Sequence, residues 1–388
     1  MFGVAYAPLR FERDECPTEA AIREDIGVIS EVTSNVRMYY QGCRSTLSAI
    51  RACAANNLGL YIGVHVDENP ETFNEQLGQL IADIRDADPA DVQRVVRGVV
   101  VGNEAIFRRE VTVEQLIALV RRARTELSDV IPGGVRISAS DVFINYLRNQ
   151  NLIDAVDFMV PNIHIFFNRR APFDIDTQFN KFWENVENLQ ALSPGKEIMV
   201  GEFGWPSAGI PKDDNPNNLP CPGKAERVLN RFVCEMAARS PPIGYFYFSA
   251  FDAYWKSPSH EKHWGVLKND RTGPKSYVPG ALDCANYDPN APEPICELTP
   301  GPFDLGLLEI RDGQLIVNGE WTEPSGFFPV PEGSGNVNGN GNGNGNANGN
   351  GNGNGNGNAA GTGGNSGSSG ALVGATVGSL VLGIVLLF

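Results

Sequence analysis

The sequence of 388 residues predicts a (β/α)8 barrel, and three observations predict it. Short apolar runs rich in Val, Ile, Phe and Tyr occur eight times, longer stretches with helical spacing separate them, and no glycine-rich phosphate loop follows the first run.

The runs, in order, are FGVAYA (2–7), NVRMYY (35–40), LGLYIGVHV (58–66), VVRGVVVGN (95–103), GVRISAS (134–140), VDFMVPNIH (156–164), EIMVGEFG (197–204) and IGYFYFSAF (243–251). They are near-continuously apolar rather than alternating, as parallel strands covered on both faces must be. Between them, TEAAIREDIGVISEV, PETFNEQLGQLIADIRDA, TVEQLIALVRRARTELSDV and KAERVLNRFVCEMAAR place apolar residues at three- and four-residue intervals, the pattern of helices with one buried face. Right-handed crossovers between successive strands close such units into a barrel. The rival, a doubly wound open sheet, would be favoured by a glycine-rich phosphate loop after the first strand, where this chain has AYAPLRFERDECP.

The barrel is assigned to residues 1–285, with a C-terminal extension over 286–332 in which GQLIV has the alternation of a small hairpin. Residues 333–370 are almost wholly Gly, Asn and Ser, too poor in apolar groups to offset the entropy of ordering, and read as a flexible spacer. Residues 371–388, ALVGATVGSLVLGIVLLF, are apolar and uncharged and follow the small residues GGNSGSSG. That is the layout of a GPI-attachment signal, with the attachment residue among Asn365 to Gly370. A transmembrane tail is the alternative, although no Lys or Arg follows the apolar run to anchor its far side. A GPI protein needs a secretory leader, whereas MFGVAYAP already reads as core strand, so the leader is expected to be missing from the chain as written. The expected location is the cell surface or wall.

The net charge of −15 argues against nucleic acid or an anionic membrane surface as a partner, because both require a basic footprint. Seven cysteines, with no C-x-x-C among them, offer neither a zinc ribbon nor a thioredoxin motif. Disulfides in an oxidising compartment are expected, with Cys284 and Cys296 as one pair and at least one thiol left over. Buried free cysteines serving as small apolar side chains are the alternative.

Function in a barrel collects where strands end. Here the ends carry Tyr6; Arg37, Tyr39 and Tyr40; His65, Asp67 and Glu68; Asn103 and Glu104; Ser140 and Asp141; Asn162, His164, Phe166 and Phe167; Glu202 and Trp205; and Phe251, Asp252 and Trp255. An acidic, aromatic rim suits a sugar, since aromatic faces stack on pyranose rings and carboxylates bind hydroxyls. It also suits glycosidic cleavage, in which one carboxylic acid protonates the leaving oxygen while a second carboxylate attacks the anomeric carbon or activates water. Glu104 and Glu202, three strands apart, face each other across the opening. A carboxylate trio at Asp67, Glu104 and Asp141, as in a metal-dependent barrel, is a second reading. It leaves the glycine-flanked Glu202 unexplained.

The segments VVVGNE and VGEFGWPS resemble the two signatures of the family 17 glycoside hydrolases, the β-1,3-glucanases and related glucanosyltransferases of fungal and plant cell walls. The resemblance runs from GVAYAP to HWGVLKNDRTGPKSY. It implies a retaining double displacement with Glu104 as acid/base and Glu202 as nucleophile, the two carboxyls about 5 to 5.5 Å apart, and no metal or organic cofactor. It also implies that Asn103 lies near the sugar 2-hydroxyl, and that Lys256 and Glu261 stand near the site. Plant members carry a further Glu where this chain has Ala253, which removes one charge from the set. Tyr39, Tyr40, His164, Phe166, Trp205 and Trp255 complete the expected substrate-binding set; His164 and His65 read as orienting or packing residues rather than metal ligands. A monomer acting on β-glucan is expected. The expected activity is hydrolysis; transglycosylation with the same residues and a glucan-binding role without catalysis are the alternatives.

Overall fold

The computed structural model describes residues 1–8, 16–131, 133–168, 174–210 and 218–296, with the backbone of 308–311 and 314–317. The Gly/Asn spacer and the apolar tail lie outside the described residues. Among the described residues no helix is long and apolar enough to cross a membrane.

Eight parallel strands close into a barrel in chain order: β1 (Gly3–Ala5), β2 (Asn35–Arg37), β3 (Gly59–Val64), β4 (Val96–Val101), β5 (Ile137–Val142), β6 (Val160–Asn162), β7 (Met199–Phe203) and β8 (Gly244–Tyr247). Val4 pairs with Val36 on one side and Tyr247 on the other, which closes the ring. Each of the eight runs read from the sequence supplies one strand. The helices expected between them start where side chains satisfy free N–H groups. Thr18 caps Glu19–Ile29, Asn69 followed by Pro70 caps Pro70–Asp86, and Thr112 with Gln115 forms a reciprocal capping box on Val113–Ser128.

Strand alternation divides the core in two. Side chains facing outward, such as Val4, Val36, Leu60, Val99 and Val101, pack with the helices in one large cluster. Tyr61, Val100, Phe158, Val160, Met199 and Phe246 form a second. Tyr61 on β3 and Phe246 on β8 belong to non-adjacent strands, yet their ring centroids are 5.0 Å apart, so this second cluster fills the barrel interior. It forms the floor on which the polar residues of the C-terminal end stand.

The disulfides are Cys16–Cys43, Cys221–Cys296 and Cys234–Cys284, and Cys53 is a buried free thiol. The expected Cys284–Cys296 pair is therefore corrected. Cys221 and Cys234 lie on or beside the helix Pro222–Ala238, so the segment after the barrel is tied twice to that helix rather than closed on itself. The strand pair expected around GQLIV is an antiparallel hairpin of Leu308–Arg311 with Gln314–Val317.

Candidate active site

Glu202 is the penultimate residue of β7, directly opposite Asn162 in the register of β6. The glycines around it make room for specific neighbours. A Cβ at position 201 would lie 2.5 Å from Asn162 Oδ1 and 3.1 Å from Arg37 Nη1, and one at position 204 would collide with the Phe248 carbonyl. A side chain at 201 would thus displace the Asn162 amide and crowd the Arg37 guanidinium.

Glu104 follows β4 in a left-handed conformation, φ +59°, which is unusual for a residue with a Cβ. Its N–H donates to the Ser140 carbonyl at 3.0 Å and its carbonyl accepts from Arg108 N–H at 2.9 Å, so bonds on both sides hold the strain.

A polar network joins the two glutamates. Asn162 Nδ2 donates to Glu104 Oε1 at 2.8 Å. Asn103 Oδ1 accepts from Arg37 Nη2 at 2.9 Å, Ser140 Oγ at 3.1 Å and Asn162 Nδ2 at 3.2 Å. Three donors on that oxygen orient the amide, leaving its Nδ2 without a hydrogen bond among the described residues and able to donate to a ligand. Arg37, 1% exposed, crosses the barrel from β2. Its Nη1 donates to the Gly201 carbonyl at 2.6 Å and stands 3.8 Å from Glu202 Oε1. On the other side of Glu202, His164 Nε2 lies 3.1 Å from Oε2. The His164 ring is boxed edge-on by Phe167, Phe248 and Trp264, with centroids 5.5 to 5.9 Å away. The Tyr39 hydroxyl lies beside Glu202 without meeting hydrogen-bond geometry.

These surroundings push the two carboxyls apart. Burial, then the charge of Glu202, raise the Glu104 pKa to about 7, against the Asn162 hydrogen bond. Burial also acts to raise Glu202, but the His164 hydrogen bond and charge, the Arg37 guanidinium and Tyr39 outweigh it and hold the carboxyl below its ordinary value. The result is a proton donor facing a carboxylate near neutral pH, the division that separates acid from nucleophile in paired-carboxylate sites.

The other expected residues divide into rim and support. Tyr40 and Trp255 are half-buried at the rim, and burial pushes the Tyr40 phenol up to about 12. Lys256 lies 4.7 Å over the Phe248 ring; burial lowers its pKa against the raising charges of Glu261, Glu202 and Glu104. Glu261 is buried, with His260 Nε2 at 3.5 Å. Trp205 and Phe166 are not open stacking faces. Trp205 is 1% exposed, donates from Nε1 to the Leu219 carbonyl at 3.2 Å and packs against Phe166, itself buried against Trp264 and His260. They form a layer beneath the rim. Nor do Asp67, Glu104 and Asp141 gather. Asp67 accepts from Asn69 N–H and Thr72 Oγ1, and Asp141 accepts from Ile106 N–H, Val142 N–H and Asn145 Nδ2. Among the described residues no three His, Cys, Asp or Glu side chains converge as metal ligands.

The sequence-based set omitted Arg37 and Asn162, although both stood among its strand-end residues. The signal for Arg37 was its placement as the one charged residue in NVRMYY, where burial demands a partner.

Known proteins resemble this chain in sequence or in fold. A putative glucan endo-1,3-beta-glucosidase btgC of Aspergillus niger is 28% identical over 297 residues, covering 69% of this chain and 42% of that protein. The glucan endo-1,3-beta-glucosidase btgC of Emericella nidulans is 28% identical over 294 residues, 69% of this chain and 44% of that one. The chain thus spans less than half the length of these curated relatives. Among solved structures, the glycoside hydrolase family 17 beta-1,3-glucanosyltransferase of Rhizomucor miehei shares the barrel fold, with a TM-score of 0.61 at 24% identity over 71% of this chain and 96% of that chain. A family model for the BtgE/BtgC glycoside hydrolase domain matches residues 3–265, a span that holds all eight strands and both glutamates. The chain belongs to the BtgE/BtgC glycoside hydrolase domain family.

Proposed function

We propose that this chain cleaves β-1,3-glucan by a retaining double displacement, with Glu202 as nucleophile and Glu104 as acid and then base. The observation that carries the reading is the opposed tuning of the two carboxyls at the two ends of one polar network, Glu104 hydrogen-bonded by Asn162 and Glu202 by His164, with Arg37 between them. The glucan-directed names of the relatives supply the substrate class. In the first step Glu202 attacks the anomeric carbon while Glu104 gives its proton to the departing oxygen, leaving a glycosyl ester on Glu202. In the second, Glu104, now a carboxylate, takes the proton of a water or sugar hydroxyl as that oxygen displaces Glu202. Asn103 Nδ2 is the donor available to the sugar ring. The three disulfides favour an oxidising compartment, in keeping with secretion and action at the cell wall.

The test is product analysis on a soluble β-1,3-glucan oligosaccharide, following the first-formed anomer by proton NMR and product lengths by mass spectrometry. β-configured new ends support the reading. α-configured ends would show inversion, and an uncleaved substrate would leave a binding protein.

The pH profile supplies a second check. Activity needs Glu104 protonated and Glu202 ionised. kcat/KM is therefore expected to fall as pH rises through about 7 and as it drops through a limb below the ordinary carboxylate range. Replacing His164 with Phe removes a charge that holds both carboxyls down and a hydrogen bond that holds Glu202 down, so both limbs are expected to move upward, the acidic one by about one pH unit. An acidic limb that stays in place would assign His164 to packing alone.

A further inference from the structure

The large hydrophobic side chains exposed among the described residues are Phe107, Leu192 and Ile295. Leu192 ends the helix before β7 and Ile295 follows the barrel, whereas Phe107 sits at the mouth, three residues after Glu104. The loop that carries Phe107 is held at several points. Ile106 N–H donates to Asp141 Oδ2 at 2.9 Å, the Phe107 N–H also bonds Asp141, and Ala105 is fully buried. Arg108 N–H returns to the Glu104 carbonyl and Glu110 N–H to the Ala105 carbonyl, each at 2.9 Å. Arg108 and Glu110 then close the loop with two parallel hydrogen bonds of 2.8 Å.

Asp141, on β5, is the side chain that anchors this loop. It is fully buried, and burial raises its pKa against the bonds it accepts from Asn145 and from the backbone of Ile106, Val142 and Phe107. The double displacement makes no use of this carboxylate. Two of the bonds it accepts, from Ile106 and Phe107 N–H, fix the chain at the exposed aromatic ring, while those from Val142 N–H and Asn145 Nδ2 hold the carboxylate to its own strand and the helix that follows.

The side of the cleft follows from the chemistry. The acid stands beside the leaving oxygen, so residues borne by the Glu104 loop face the sugar that departs and the sugar that later replaces it. We propose that Phe107 is the stacking platform for the acceptor sugar, a β-1,3-linked glucose unit of a second glucan chain, and that it thereby sets the ratio of transfer to hydrolysis. In the transfer step the acceptor hydroxyl oxygen bonds to the anomeric carbon, the ester bond to Glu202 breaks, and the hydroxyl proton passes to Glu104. A glucose ring seated on Phe107 places that hydroxyl ahead of water. This inference rests on the double displacement proposed above.

The experiment uses the full chain with an aryl β-1,3-linked diglucoside as donor and a β-1,3-linked trisaccharide as acceptor. Released phenol reports formation of the glycosyl ester. Mass spectrometry separates the disaccharide of hydrolysis from the pentasaccharide of transfer. Phe107→Ala is expected to lower the pentasaccharide-to-disaccharide ratio about tenfold at fixed acceptor concentration, equivalent to ~1.4 kcal/mol. Phe107→Trp is expected to restore it, and Leu192→Ala, far from the mouth, to leave it as in the parent. A ratio within about twofold of the parent in Phe107→Ala, well under the effect of one stacking contact, overturns the platform while leaving the double displacement intact. A parent chain that forms no pentasaccharide overturns it equally. Failure to release phenol overturns the double displacement, and the platform with it.

Discussion

Replacing Glu202 with glutamine is expected to lower kcat/KM on glucan by at least about 10⁴-fold, the scale of losing a covalent nucleophile. Glutamine keeps the volume and one acceptor oxygen, so the contacts to His164 and Arg37 persist in part while the attacking charge is lost. Glu104→Gln is expected to be as damaging on glucan, whose sugar leaving group needs a proton. With an aryl donor whose phenolate departs unassisted, however, the first step should survive in Glu104→Gln and fail in Glu202→Gln. Phenol release by the two variants therefore assigns the roles. Equal loss on both donors would remove the distinction between acid and nucleophile, and a Glu202→Gln chain with undiminished cleavage would remove Glu202 from the reaction.

Arg37→Met is expected to have the largest effect on stability. The guanidinium is buried, and methionine fills much of its volume without its charge or donors. The Gly201 carbonyl and Asn103 Oδ1 each lose a hydrogen bond and Glu202 loses a cation 3.8 Å away. Removing one partner of such a buried set costs about 3 to 5 kcal/mol. Urea unfolding should show a lower midpoint at unchanged slope, and the acidic limb of the pH profile should move up because Arg37 is one of the groups that hold Glu202 ionised. Arg37→Lys should lie between, with charge retained and the fork lost. A Met variant with the parent's midpoint would mean the buried guanidinium adds nothing net.

The barrel was legible in the sequence because its causes are local and repeated. A parallel strand buried on both faces must be apolar along its length, a helix packed on one face must be apolar at three- and four-residue spacing, and eight alternations of the two leave few closures. Glu104 and Glu202 were legible for a related reason. A carboxylate at the end of an apolar run is costly unless it is used or paired, so each stood out against its own strand.

What the sequence by itself determined, then, was the order of strands and the charged residues that end them. Partners across the barrel were decided only by the tertiary structure. Arg37 meets Gly201, 164 positions away in the chain, and Asn162 meets Glu104 and Asn103 because closure of the sheet brings the ends of β2, β4, β6 and β7 around one axis. The same closure set the opposite tuning of two glutamates that look alike in sequence, since a pKa follows the charges and donors within a few ångströms and not the residues beside it in the chain. It turned Trp205 and Phe166 inward, because an aromatic residue near a strand end can point into the cleft or under the adjoining loop with the same local pattern. It also joined Cys221 to Cys296 and Cys234 to Cys284, for disulfides depend on which Cα atoms come within about 7 Å and not on spacing in the chain.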